Sequence, residues 1–159
     1  MLDAGCGSGN PVAQFLGGIF KVTGMDFAEE QILLAKRTVP GATFICGDIT
    51  RLPFRDRTFD AVVSYYTMIH VPRSEHPELL LGFHRILRPG GLALLCMGAG
   101  DLPGDIGDYH GVEMFWSHYD SETNLRMMRK SRFTILRFEI ITDPTDPASS
   151  HLFALGQTE

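Results

Sequence analysis

The first eleven residues, Met1-Leu2-Asp3-Ala4-Gly5-Cys6-Gly7-Ser8-Gly9-Asn10-Pro11, constrain this chain more than any other stretch. A short apolar run reaches an acidic residue, three glycines alternate through five positions, and an Asn-Pro pair opens a helical pattern. The succession reads as a strand, a tight glycine turn and a capped helix. Asn10 suits the N-cap and Pro11 the first helical position, where a missing N–H costs nothing. Glycine lets the backbone turn sharply and brings its amides near a ligand with no side chain in the way.

Downstream, strand and helix patterns alternate. Val12, Phe15 and Leu16 mark one helix face that Gly17-Gly18 stop, and Ile19–Gly24 read as a second strand ending at Met25-Asp26. Asp26 lies 21 residues after Gly5, near the distance at which a carboxylate at the end of a second strand meets a ribose in βαβ nucleotide sites. Asp26 and Glu29 also spell a helix capping box, and both readings can hold together. Ala28, Ile32 and Ala35 space out the next helix, Ala42–Cys46 make a third strand, and Gly47-Asp48-Ile49 turn out of it. Phe59–Tyr65 is a fourth strand, apolar enough to be buried on both faces, and its end leads to Tyr66, Met68 and His70. A helix opening at Ser74 or Glu75 carries Leu79, Phe83, Ile86 and Leu87 on one stripe, ends at Arg88-Pro89-Gly90-Gly91, and delivers a fifth strand, Leu92–Met97.

Residues 98–119 combine five glycines with Tyr109, His110, Met114, Phe115, Trp116, His118 and Tyr119, the composition expected of a long lid-like insertion. Asp120 or Ser121 caps a last helix through Met128, and Phe133–Thr142 and His151–Gly156 read as two final strands joined antiparallel through a turn at 143–147. Five alternations and a terminal hairpin imply an α/β class: one domain over 1–159, Rossmann-like and doubly wound, its sheet mostly parallel with one antiparallel strand.

Two nucleotide-type readings compete for the glycine loop. A dinucleotide fingerprint, G-x-G-x-x-G, places its last glycine where this chain has Asn10, which disfavours a nicotinamide-dependent oxidoreductase. Leu-Asp-Ala-Gly-Cys-Gly-Ser-Gly instead resembles the first motif of the class I S-adenosylmethionine-dependent methyltransferases, whose loop passes around the methionine part of a ligand without phosphate. Gly-Asp-Ile followed by Leu52-Pro53-Phe54, and Leu87-Arg88-Pro89-Gly90-Gly91, resemble further motifs of that family in the right order.

The resemblance implies a seven-stranded sheet of order 3-2-1-4-5-7-6 and S-adenosyl-L-methionine as cofactor. It implies that Asp3, Gly5, Cys6, Gly7 and Gly9 form the cofactor loop, that Asp26 holds the ribose, that Phe27 flanks the adenosine, and that Asp48 and the Ile49 backbone N–H meet the adenine. Ser64 and Tyr65 would approach the methionine end through their backbone.

Methyl transfer from a sulfonium is an in-line displacement that needs a base only when the nucleophile holds its proton at working pH. His70 is the best-placed catalytic candidate, with His110, His118 and Tyr66 behind it. The six histidines show no H-x-x-x-H or H-E-x-x-H spacing, so no metal is expected. Cys6, Cys46 and Cys96 read as buried core residues, and their odd count and spacing argue against a disulfide framework.

At a formal charge of −5 with no basic stripe, neither nucleic acid nor an anionic membrane is an expected partner. The Asn- or Asp-Pro-Pro-aromatic run of base-amine methyltransferases is replaced by Ser64-Tyr65-Tyr66-Thr67, so a small-molecule acceptor is expected. Reduced cysteines and no long apolar run place the chain in the cytoplasm as an expectation. Members of the family carry several dozen residues before their first strand, and this chain begins two residues before Asp3. A truncation, a covering partner chain or second copy, or a catalytically silent binding module of the same fold are the readings this leaves open.

Overall fold

A computed structural model of the chain describes residues 1–109, 111–142 and 149–159. The strands β1 (Leu2–Ala4), β2 (Thr23–Asp26), β3 (Thr43–Cys46), β4 (Phe59–Ser64) and β5 (Leu87–Gly98) run parallel, joined by the helices α1 (Val12–Leu16), α2 (Glu29–Thr38) and α3 (His76–Ile86). After β5 come a hairpin of β6 (Leu102–Tyr109) and β7 (Val112–His118), the helix α4 (Ser121–Lys130), and β8 (Phe133–Thr142) and β9 (Ser150–Thr158). The seven-stranded sheet has the order β3-β2-β1-β4-β5-β9-β8, with β9 antiparallel to both its neighbours. Counting β8 and β9 as the sixth and seventh strands, this is the 3-2-1-4-5-7-6 order expected.

Strand alternation sends residues to two cores. Leu2 and Ala4 pack with Val62, Ala93 and Leu95 against Leu79, Leu80, Phe83 and Ile86 of α3 and Leu125 and Met128 of α4. The opposite face is smaller, with Cys6, Ala13, Val22, Ile32, Ala35 and Phe44 under α1 and α2. Period-2 alternation in the strands and 3.6-period stripes in the helices explain both layers.

Several boundaries differ from those expected. Helix α1 starts at Val12, with Pro11 at its N-cap and no side-chain cap from Asn10, because the Gly9 carbonyl takes the Gln14 N–H at 2.8 Å. Strand β2 starts only at Thr23. Ile19 and Phe20 bond back to the Leu16 carbonyl in the turn that ends α1, and their side chains are exposed. The N-cap of α2 is Ala28 without a side-chain bond, so the Asp26–Glu29 capping box does not form. Strand β5 begins at Leu87, taking in the Arg-Pro-Gly-Gly segment through a register shift opposite Phe59 and Ala61. The long loop expected at 98–119 is instead the β6–β7 hairpin, a separate two-stranded sheet. Cys46 is exposed, not core, with its thiol 3.4 Å from the Phe27 carbonyl, whereas Cys6 and Cys96 are buried. The expected turn at 143–147 and His110 lie outside the described residues. Among the described residues no helix is long and apolar enough to cross a membrane.

Candidate active site

The carboxyl ends of the parallel strands converge on a cavity of about 1020 Å³, where open α/β sheets bind their ligands. Its floor is the glycine loop. Gly5, Gly7 and Gly9 have φ of +80°, +50° and +83°, the left-handed region closed to most L-residues. At Gly5 a second constraint applies: a Cβ there would lie 2.1 Å from Thr67 Cγ2 and Oγ1. Thr67 Oγ1 is 3.1 Å from the Gly5 carbonyl, so the turn after β4 packs directly on the turn after β1.

Asp26 ties three strand ends together. Its Oδ2 accepts the Gly7 N–H at 2.9 Å and its Oδ1 the Ala28 N–H at 3.0 Å, while its main-chain carbonyl accepts the Gly47 N–H at 2.8 Å. These bonds explain why no capping box forms: the carboxylate is taken by the loop. They also bear on the ligand, because the Gly7 N–H that a pyrophosphate would need is already satisfied by a carboxylate. Each Asp26 oxygen keeps lone-pair capacity for ribose hydroxyls. Asp48 accepts the Thr50 N–H at 2.8 Å and so fixes the short 3₁₀ turn Ile49–Arg51 beside the cavity.

Of the sequence candidates, Gly5, Gly7, Asp26, Phe27, Asp48, Ile49, Tyr65 and His70 line the cavity. Asp3, Cys6, Gly9 and Ser64 are not among the lining residues. Asp3 is 1% exposed on β1, and burial pushes its carboxyl up to about 7 despite a hydrogen bond from the Ala13 backbone. Burial likewise pushes the Cys6 thiol up to about 12, away from the thiolate a nucleophile requires. Ser64 is 1% exposed and caps the buried end of β4.

Beyond Ser64 the chain enters the cavity wall through Tyr66, whose φ of +51° is unusual for an aromatic residue. Its ring stands edge-on to Tyr65 and to His151, each at 4.7 Å between centroids. His70 sits in the next turn. Its Nδ1 is 2.8 Å from the Phe115 carbonyl of β7. A carbonyl only accepts, so Nδ1 carries the proton and the lone pair of the neutral ring belongs to Nε2. His118 does not line the cavity, its Nδ1 lying 2.7 Å from the Gly100 carbonyl.

Tyr109, Met114 and Phe115 of the hairpin close the side facing His70. Two pins hold the hairpin there. Ser117 Oγ accepts the Arg73 N–H at 3.1 Å and donates to the Pro103 carbonyl at 3.0 Å, and Arg73 pairs with Asp101 at 2.6 Å. Sequence reasoning missed Thr67, Glu75 and these hairpin contacts as parts of the site. The aromatic composition of 98–119 signalled the hairpin's involvement, but nothing in the sequence places Thr67 against a glycine 62 residues away.

The residues present fit the group that the glycine loop implied. Among the described residues, three carboxylates, Asp26, Asp48 and Glu75, and no Lys or Arg line the cavity, a balance suited to a ribose-bearing sulfonium and unsuited to a pyrophosphate.

Comparison with known proteins agrees with this geometry. Residues 1–91 match the family described as methyltransferase domain. Squalene methyltransferase 1 of Botryococcus braunii is 39% identical over 100 residues, covering 57% of this chain and 25% of that protein. The demethylmenaquinone methyltransferase of Renibacterium salmoninarum is 33% identical over 91 residues, covering 57% and 38%. The chain thus matches less than half the length of these curated relatives. A solved S-adenosylmethionine-dependent methyltransferase of Methanosarcina mazei superposes with a TM-score of 0.85 at 22% identity, covering 99% of this chain and 91% of that one, which shows a shared fold. With a family match over more than half its length and the sheet order and glycine loop in place, the chain belongs to the methyltransferase domain family.

Proposed function

We propose that the chain transfers a methyl group from S-adenosylmethionine to a small-molecule acceptor by in-line displacement. The observation that carries the reading is one continuous cavity that joins the Gly5–Asp26 end to the His70 and tyrosine end. Asp26 would hold the ribose, Phe27, which is 81% exposed, offers a flat face to the adenosine, and Asp48 with the Ile49 N–H bounds the base. Asp3, Cys6, Gly9 and Ser64 act from behind, shaping the loop and strand ends. The bound cofactor supplies a methyl carbon on a positively charged sulfur, which leaves as a neutral thioether.

This chain's own part is mainly to orient, and fixing two reactants in line is worth on the order of 7–11 kcal/mol of the barrier. The hairpin serves as the lid, held at His70 and Arg73. Displacing water from that wall strengthens every charge interaction inside. His70, protonated at Nδ1, offers Nε2 as the acceptor for an acceptor's proton, a contribution of about 10²–10⁴ in rate where one is needed. That two relatives are named for squalene and demethylmenaquinone supports a small-molecule acceptor.

Calorimetric titration with S-adenosylmethionine and S-adenosylhomocysteine, beside an Asp26→Ala variant, tests the reading. Saturable binding weakened by the substitution supports it. No binding by a protein that melts cooperatively refutes it, and binding without turnover over an acceptor panel would leave a silent module instead.

A further inference from the structure

We infer that the acceptor is an uncharged, planar hydroxyl compound, a phenol or an enol, whose O–H meets Nε2 of His70 between the tyrosines and the β6–β7 hairpin. The inference rests on the methyl-transfer reading and adds the acceptor class, from three observations.

The first is charge. Among the described residues no Lys or Arg lines the cavity, whereas the acidic residues Asp26, Asp48 and Glu75 do. Arg73, close to the wall in sequence, is committed elsewhere: it pairs with Asp101 and lies 4.6 Å over the Tyr119 ring. A carboxylated or phosphorylated acceptor would find no Lys or Arg side chain there to receive it, a mismatch that selects against anions.

The second is shape. Tyr65 and Tyr66 face the cavity from the β4 end, and Tyr109, Met114 and Phe115 from the hairpin. Aromatic walls favour a flat apolar guest, through burial and ring-on-ring contacts. Beside His70 the wall is Val71, Met114 and Phe115, whereas Glu75 is exposed. An ammonium would be stripped of water against those apolar side chains, with no carboxylate among them to pair with it, so a neutral guest fits better.

The third is the tautomer. The Phe115 carbonyl fixes the His70 proton on Nδ1, so the unbound Nε2 is a proton acceptor, not a donor. Such a group is useful only to a nucleophile that keeps its proton near neutrality. A phenol, with a pKa of about 10 as in tyrosine, does so. As the O–H bond breaks, Nε2 takes the proton; the oxygen pair forms the bond to the methyl carbon, and the pair of the broken C–S bond stays on sulfur. The products are a methyl ether, a thioether and an imidazolium, and atoms and charge balance.

The test uses the full chain saturated with S-adenosylhomocysteine and three probes: 2-naphthol, 3-hydroxy-2-naphthoate and 2-naphthylmethylamine. Naphthol should bind saturably, and the anionic and cationic probes about tenfold more weakly or worse, a difference of about 1.4 kcal/mol. Glu75→Lys should narrow the gap between naphthol and the naphthoate. Nitrogen NMR of His70 should show Nδ1 protonated and Nε2 bare in the neutral ring. With S-adenosylmethionine, naphthol should yield its methyl ether, and His70→Gln should cut that rate by about 10²-fold or more while both ligands still bind.

Equal or tighter binding of either charged probe, a proton on Nε2, or undiminished turnover by His70→Gln overturns the inference. So does failure of naphthol to bind while S-adenosylhomocysteine binds. Failure of S-adenosylhomocysteine itself overturns the methyl-transfer reading beneath it.

Discussion

Replacing Gly5 with alanine should be among the most damaging single changes in the glycine loop, for two separable reasons. The residue has φ +80°, and forcing an L-residue into the left-handed region costs about 1–2 kcal/mol. The new Cβ would also lie 2.1 Å from Thr67 Cγ2 and Oγ1 and 2.5 Å from Thr67 Cβ. Overpacking of that kind costs about 1–3 kcal/mol, so the expected loss is roughly 2–5 kcal/mol in all. Urea denaturation followed by circular dichroism measures it. Thr67→Ala removes both 2.1 Å contacts but gives up the hydrogen bond near the Gly5 carbonyl, for about 0.5–1.5 kcal/mol alone. The double variant should then be more stable than the sum of the singles by about 1 kcal/mol, since contacting sites are not additive. A Gly5→Ala loss below about 1 kcal/mol, or strict additivity with Thr67→Ala, would refute the steric account.

Three other perturbations probe separate parts of the molecule. Asp26→Ala removes the acceptor of the Gly7 and Ala28 N–H groups and should weaken S-adenosylhomocysteine binding by about 2 kcal/mol, roughly thirtyfold, by calorimetry. Asp3 should make the fold less stable as pH rises. Its folded value of about 7 stands above the ordinary 3.8, so between those values the folded state keeps a proton that the unfolded state has released, and stability is lost as pH climbs through 7. His76, buried and held neutral, acts with the opposite sign, losing stability as the unfolded state gains protons on acidification. The difference between wild type and Asp3→Asn in urea midpoint across pH 4–8 therefore isolates Asp3, with a slope of at most about 1.4 kcal/mol per pH unit. Ser117→Ala should leave the Arg73 N–H and Pro103 carbonyl unpaired. It should cost about 1–3 kcal/mol and show as faster hydrogen exchange in 102–118 with the seven-stranded sheet unchanged.

Much of this fold was legible because local sterics and burial periods are written into adjacent residues. The glycine alternation at 5, 7 and 9 marked a tight turn, and all three residues take up the left-handed region. The apolar runs at 59–64 and 92–97 marked strands, although Asp60, Leu92 and Leu94 are exposed and neither strand is covered along its whole length on both faces, and the stripe through Leu79, Phe83 and Ile86 marked a helix over the sheet. The hairpin at 98–119 was not legible as strands. Its glycines and polar residues lack a clean period-2 pattern, since most of β6 faces solvent and buries no constant face. The capping box at Asp26 failed for a related reason. A local motif names a partner three residues away, but the Gly7 N–H, 19 positions earlier, competed for the same carboxylate and won.

The sequence by itself therefore determined the layered architecture, the strand order by resemblance, the glycine turn at the carboxyl end of the first strand, and the presence of a histidine beyond the fourth strand. Each depends on steric limits, burial patterns or motif spacings that neighbouring residues carry with them. Only the tertiary structure decided that Thr67 closes on Gly5, that the Phe115 carbonyl sets the tautomer of His70, and that among the described residues no Lys or Arg lines the cavity. Those features depend on which distant groups meet when parallel strands bring their carboxyl ends together, and a hydrogen bond goes to the best partner the folded chain presents, whatever its distance along the sequence.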